Sequence, residues 1–455
     1  MGGWWKEHGP RYGNSFESGG DKTGTSVDER ELARELGLLE AVTIGIGGII
    51  GGAIYSVLGI VMEVAGPAVI LSFLLCAFTA LMVGYNYAKL GESYPSSGAS
   101  YEYVARAFPR HGLVKGLVGY SLWLGYLVAC SFYSVSFGFY ANHFFPSVPA
   151  RVFSVTLIVA FLALNLAGVG KTGKTQDILV LVKVGILALF VALGIPSVKP
   201  GYYHPFFPKG VLSTFTASAL IFIGYEGFEI IGTAGEELRN PKRDLRRAVY
   251  VTIAIVSSLY LMVAFVAVGL IPYDELGASG APLAELASLV LGRWGGLILG
   301  FGALLSTSSA LSAALFGSSR LAYAMAREGM MPRLFSSLNK RTRAPQYSLM
   351  VASLIIVFIT MLGVVRELSG LASLIFLVAF FLVSLSNFRL REKTRSNVFY
   401  PFLAMFLCSY FMLFVERAIW IEFIILIAAA IILPQVMRRH ISKTPQRKGQ
   451  GEAAH

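Results

Sequence analysis

The sequence predicts an all-α polytopic membrane protein with twelve transmembrane helices. Three observations predict it. Of the 455 residues, 55% are hydrophobic and only 14% are Asp, Glu, Lys or Arg, whereas soluble domains carry about a quarter charged residues. Mean hydropathy is +0.65. The apolar residues fall in runs of membrane length, and the basic residues crowd the loops on one side of those runs. This composition excludes a large soluble enzyme and a disordered scaffold. It also assigns the net charge of +12 to one membrane face rather than to a nucleic-acid partner.

Residues 1–36 are polar, Gly-rich and mixed in charge, without the short apolar core of a signal peptide. They predict a soluble tail ending in a short helix over Val27–Leu36, with Ser26 as N-cap and Glu29 completing a capping box. The spans follow: TM1 38–62, TM2 66–88, TM3 114–142, TM4 152–170, TM5 176–196 and TM6 212–235. The second six are TM7 248–271, TM8 294–322, TM9 346–364, TM10 367–387, TM11 397–415 and TM12 418–437. Residues 438–455 form a basic tail with weak attraction to anionic lipid. The transmembrane domain is therefore 37–437.

With the tails and the TM2–3, 4–5, 6–7, 8–9 and 10–11 loops on one side, that side holds 31 of the 38 Lys and Arg. The other side holds six: Arg151, Lys199, Lys209, Arg293, Arg366 and Arg417. One, Lys183, lies inside TM5. This positive-inside bias predicts that both tails are cytoplasmic. A single mis-split span would transpose every later loop, so the bias also supports the number of spans.

TM1 carries five glycines within 45–52, each worth about 1 kcal/mol against helix relative to alanine. They predict an unwound stretch, which a membrane tolerates only where it is buried in protein or lines a cavity. TM6 has Ile223-Gly224-Tyr225-Glu226-Gly227-Phe228-Glu229 at mid-span. Interrupted spans five apart point to a five-plus-five inverted repeat, TM1–5 and TM6–10 with TM11–12 added. Such a transporter places its substrate at the breaks. Close packing through Gly47–Gly51 and Gly48–Gly52 is the plainer explanation of TM1, but it leaves the charged interruption of TM6 unexplained. For an amino-acid substrate, the N–H groups of Gly51, Gly52 and Ala53 suit the carboxylate. Freed carbonyls of Ile49, Leu220, Phe222 and Ile223 suit the ammonium.

At four segments the chain resembles the amino acid–polyamine–organocation permeases, whose fold is the LeuT type. They are the Gly-rich run 45–53, Lys89–Tyr103, Glu236–Arg243 and Ser319–Pro332, in the family's order. The resemblance implies alternating-access transport of a small-molecule amino acid through the bilayer of the plasma membrane, with no cofactor and no catalytic residue. Two positions depart from the family. Gly52-Ala53 stands where Ser or Thr followed by Gly is common, so a hydroxyl contact to the substrate carboxylate is absent. Arg246 replaces a loop proline.

Lys183 lies about eight residues into TM5, a rise of roughly 12 Å. An intramembrane lysine costs at least a few kcal/mol, and a stem of about 6 Å does not reach the interface. In sodium-coupled members of the wider fold an ion joins TM1 carbonyls to TM8 hydroxyls. The resemblance places Lys183 there instead, between the Gly45 region and Thr307 and Ser308. If desolvation and these acceptors balance, the amine can load and release a proton; if the charged form always wins, it is a fixed tether. Glu226 is expected to brace the TM6 break or to join proton coupling. Glu229 fits either the site or a watery inner vestibule.

These features predict a sodium-independent, proton-coupled amino-acid transporter. An obligate exchanger, or a polyamine or cationic amino-acid transporter of the same fold, is the alternative. A non-transporting amino-acid sensor ranks below both. The apolar surroundings of the breaks favour neutral amino acids.

Other patterns carry no chemistry. Cys76, Cys130 and Cys408 are scattered in apolar runs and form no disulfide or zinc pattern. The six histidines include no pair at metal-ligand spacing, so no metal is expected. Gly168–Thr175 fits the phosphate-loop pattern GxxxxGK[ST], but that mechanism needs a preceding strand and an α/β domain. No nucleotide partner is therefore expected. Replacing Lys171 and Lys174 together with Ala should leave substrate uptake intact. ATP-dependent uptake abolished by that pair would contradict this.

Overall fold

Backbone N–H and C=O groups in hydrocarbon have no partner but the backbone itself, and the apolar runs satisfy them as helices. A computed structural model describes residues 36–95, 98–167, 173–235, 238–277, 279–339, 342 and 344–441. The expected capping box at Ser26 and Glu29, residues 168–172 of the phosphate-loop pattern, and Glu236 and Glu237 lie outside the described residues. Among the described residues the structure is all-helical, apart from one isolated bridge between Leu36 and Leu238. Eight helical stretches are long and apolar enough to cross a membrane.

In chain order the first helices are α1 (Leu38–Ile49), α2 (Ala53–Ser56), α3 (Leu58–Ala65), α4 (Val69–Ser93), α5 (Ala99–Ala107) and α6 (Gly112–Phe144). Then come α7 (Ala150–Leu166), α8 (Gly173–Gly194), α9 (Leu212–Ile221), α10 (Glu229–Thr233) and α11 (Pro241–Leu270). The last are α12 (Pro282–Arg327), α13 (Gln346–Leu362), α14 (Val365–Arg389), α15 (Arg391–Thr394), α16 (Phe399–Met412) and α17 (Arg417–Ile441). Of these, α7, α13 and α16 are apolar but short. Helix α12 begins well before the expected TM8: residues 282–291 are helical too, and the axis breaks at Gly292, where φ is 60°. Arg293 interrupts the apolar sequence directly after that kink, which is why the expected span starts at 294.

Helix α6 lies at the centre, packed against α7, α12 and α14, while α11 packs against α4 and α1. Helix α8 shows how a membrane helix divides its faces. Val180, Lys183, Leu187, Phe190 and Val191 are buried, at helical spacing. Ile178, Leu181, Leu189 and Leu193 are exposed, an apolar outer face suited to lipid. That stripe turns Lys183 into the protein.

The two predicted interruptions are present. After α1, the Gly51 N–H turns back to the Ile49 carbonyl at 2.8 Å, with Ile50 at φ −74° and ψ 79°. This is an inverse γ-turn, and it carries the chain into α2. The second break follows α9: a single 3-10 turn, Phe222–Tyr225, leads to extended Glu226 and then to Gly227 at φ 111°. The breaks meet backbone to backbone. A Cβ on Gly227 would lie 2.4 Å from the Gly48 carbonyl carbon, and one on Gly48 would lie 2.9 Å from the Gly227 oxygen. Close glycine packing and unwinding therefore occur together here.

Gly227→Ala meets both a disallowed φ and this contact, so it should cost at least about 2 kcal/mol. The thermal unfolding midpoint of the purified protein should fall by several degrees. Gly185→Ala, where a Cβ meets nothing within 4 Å, should leave the midpoint unchanged. Equal midpoints for the two variants would contradict the packing of the breaks.

Candidate functional site

Three buried charged side chains, Lys183, Glu226 and Glu229, lie at or against the two breaks. Lys183 is 0% exposed. Its Nζ donates to the Ile50 carbonyl at 3.0 Å and to Ser309 Oγ on α12 at 2.5 Å. Ile50 is the central residue of the γ-turn, and its carbonyl has lost the helical partner it would otherwise have. One amine thus joins the α1 break to α12. Helix α8 is fixed along α1 by a second contact, Thr43 Oγ1 to Asp177 Oδ1 at 2.5 Å. Asp177 precedes Lys183 by six residues, a rise of about 9 Å.

These partners differ in detail from the expected ones. The amine reaches Ile50 rather than the Gly45 region. Gly45 packs instead against Ile231 and Thr252, with 2.5 Å and 2.8 Å available to a Cβ. Thr307 donates its hydroxyl to Ala303 O at 2.7 Å within its own helix. Ser308 is half-buried, and Ser309 supplies the hydroxyl. Ser309 lies two positions beyond Thr307, a rotation of about 200° around the helix, and helix phase alone separates the two.

The candidate substrate-contacting atoms also sort themselves. The Gly51 N–H is engaged in the γ-turn. Gly52 and Ala53 stand at the first turn of α2, where no residue of that helix can accept their N–H groups. The Ile49 carbonyl accepts from both Gly51 N and Tyr260 Oη, the latter at 3.1 Å. At the second break, the Leu220 carbonyl accepts from Ser373 Oγ at 3.3 Å. The Ile223 N–H donates to the same hydroxyl at 2.8 Å, and the Ile223 carbonyl accepts from Glu226 N at 3.3 Å. Phe222 is buried in the 3-10 turn between them.

Glu226 and Glu229 divide the work expected of Glu226 alone. Glu229 Oε2 accepts the Gly227 N–H at 2.7 Å, so Glu229 braces the unwound backbone. Glu226 Oε1 accepts from Tyr133 Oη on α6 at 3.0 Å. Its Oε2 is buried and has no hydrogen-bond partner among the described residues. The Tyr133 ring packs on the first break, 2.9 Å from a Cβ built on Gly51 and 3.2 Å from one on Gly52. Tyr133 therefore links both breaks, and nothing in its sequence neighbourhood marks it. A Cβ on Gly52 would also meet the Thr307 methyl at 3.1 Å, so a side chain at 52 requires that methyl to give way.

This arrangement can present two N–H donors of a helix start to an anion, and a carboxylate oxygen to a cation, a few residues from a buried amine. The amino acid permease family profile matches residues 36–445. The chain is 27% identical to the branched-chain amino acid permease of Bacillus subtilis over 393 residues, 82% of this chain and 84% of that one. It is 28% identical to the methylthioribose transporter of the same organism over 434 residues, 89% of this chain and 93% of the other. The vacuolar cationic amino acid transporter 2 of Arabidopsis thaliana is 32% identical over 385 residues, 79% of this chain and 60% of its own length. A match over almost all of the helical region, on a chain whose apolar helices cross the bilayer several times, settles the family: the chain is a multi-pass membrane protein of the amino acid permease family, a transporter rather than an enzyme.

Proposed function

We propose that this permease is a sodium-independent, proton-coupled secondary transporter of amino acids in the plasma membrane, working by alternating access. The reading includes twelve spans in a five-plus-five inverted repeat with TM11–12 added, and cytoplasmic tails on either side of the 37–437 domain. The observation that carries it is the Lys183 amine on the Ile50 carbonyl and the Ser309 hydroxyl. A cation bridging unwound backbone and a facing helix needs oxygen ligands from both. Lys183 already occupies such ligands, so sodium has no role there. In alternating access, exposure of the breaks to either side in turn brings water to the amine, which gives it a route for proton exchange. Glu226 lies at the second break and is the candidate partner in that transfer.

For the substrate, we assign the carboxylate to the N–H groups of Gly52 and Ala53, with Gly51 holding the turn. The ammonium faces the second break at Phe222 and Ile223. Apolar neighbours around the breaks support a neutral amino acid, and the branched-chain permease among the relatives supports the same class. The cationic transporter among the relatives is the ground for the second reading, in which Glu226 Oε2 meets a cationic side chain.

Uptake into proteoliposomes should rise with an inward proton gradient and ignore a sodium gradient. Lys183→Ala should lose the response to the proton gradient. Uptake driven by sodium alone would contradict the proposal. Trans-stimulation by internal substrate with no response to pH would select an obligate exchanger instead.

A further inference from the structure

A polar cavity lies between the end of α4, the start of α11 and the end of α15. It has a volume of about 630 Å³. Five cations line it: Lys89 from α4, Lys242 and Arg246 from the start of α11, and Lys393 and Arg395 from α15 and its end. Glu92 is its one carboxylate. Glu92 is shared between Lys89 Nζ at 3.8 Å and Arg246 Nε at 3.5 Å. Lys242, Lys393 and Arg395 form no ion pair among the described residues. Among the described residues the lining therefore carries a net charge of about +4, contributed by three elements distant in sequence.

The lining is held in place rather than loosely hung. Thr394 Oγ1 donates to Asn387 Oδ1 at 2.8 Å, and Asn387 Nδ2 donates to Asn86 Oδ1 on α4 at 2.8 Å. Asn387 also donates to Ser396 Oγ at 3.0 Å, and the Asn397 N–H donates to Tyr85 Oη at 3.0 Å. Arg395 occupies the left-handed region, φ 48° and ψ 44°, which is uncommon for a residue with a side chain. The following turn is closed by Ser396 N to Arg391 O at 3.0 Å. A buried hydrogen-bonded floor thus fixes Lys393 and Arg395 against α4. The first turn of the 30-residue α11 adds its positive dipole end.

A general excess of basic residues on one face places cations in loops. It does not gather five of them around one cavity with a single acid, where they repel one another. An anion with several oxygens relieves that repulsion, and Lys and Arg together match a phosphate group. Basic pockets between membrane helices bind phospholipid headgroups in this way. We propose that this cavity is a binding site for a phosphate group, carried by an anionic phospholipid headgroup or free in solution. By joining α4, α11 and α15, the bound phosphate stabilises that end of the bundle.

The test is thermal unfolding of the full-length protein in dodecyl maltoside micelles. Phosphatidylglycerol is added in one arm and inorganic phosphate, at ionic strength matched with chloride, in the other. Phosphatidylcholine at the same mole fraction is the lipid reference. Phosphatidylglycerol should raise the midpoint by on the order of 3 °C. Lys393→Gln/Arg395→Gln should remove at least half of that rise. Lys199→Gln/Lys209→Gln, which lies outside the lining, should keep it. A rise with the lipid alone identifies a headgroup site; a rise with inorganic phosphate as well identifies a site for the phosphate group itself. If the double variant does not fold, Lys242→Gln should weaken the effect and Glu92→Gln should strengthen it. No rise in either arm, or equal rises in all variants, would overturn the proposal.

Discussion

Two buried groups, each costly alone, depend on each other in this protein. A lysine amine in a membrane span needs acceptors. The Ile50 carbonyl, released by the γ-turn after α1, needs a donor. The contact between them at 3.0 Å supplies both, and Ser309 adds a second acceptor from α12. Without the turn the amine would have no backbone oxygen to reach. Without the amine the turn would leave a carbonyl unmet in an apolar interior, a penalty of about 1–3 kcal/mol. The position of α8 against α1, fixed also by Thr43 and Asp177, follows from the same need.

The second break is satisfied by different means. Glu229 accepts the Gly227 N–H, and Ser373 on α14 both receives from Ile223 N and donates to the Leu220 carbonyl. Tyr133 then ties the breaks together, its ring on Gly51 and Gly52 and its hydroxyl on Glu226. Backbone at the two breaks is thus bonded by side chains from α8, α10, α11 and α14: Lys183, Glu229, Tyr260 and Ser373. Helices that share one polar centre in this way can move relative to one another only if those bonds exchange.

Much of this was legible in the sequence because membranes impose few solutions. Apolar run length set the helices to within a few residues, the earlier starts of α11 and α12 excepted, and clustered glycines marked both breaks. A lone intramembrane lysine signalled a partner on another helix. What escaped the sequence is local. The amphipathic segment 282–291 precedes an apolar run and carries no span signal of its own. Tyr133, Tyr260 and Ser373 sit in ordinary apolar stretches, and only the crossing of helices brings them to the breaks. Ser309 was distinguishable from Thr307 only by helix phase. The choice between Glu226 and Glu229 as the brace turned on which carboxylate faces the Gly227 N–H, a matter of one helical turn.

The relatives span branched-chain, cationic and methylthioribose transport, so the spans are a shared scaffold on which substrate choice varies. On the proposed reading, substrate binding depends on the anchor at Lys183, because its bond to the Ile50 carbonyl holds the turn that precedes Gly52 and Ala53. Lys183→Met keeps the length of the side chain and removes its donors. The most direct test is the substrate affinity of this variant in detergent, measured by calorimetry beside the unaltered protein, with a branched-chain amino acid as the probe. Loss of a hydrogen bond to a charged group, about 1.5–3 kcal/mol, predicts an affinity lower by about 10- to 150-fold in a folded variant. An unchanged affinity would contradict the account.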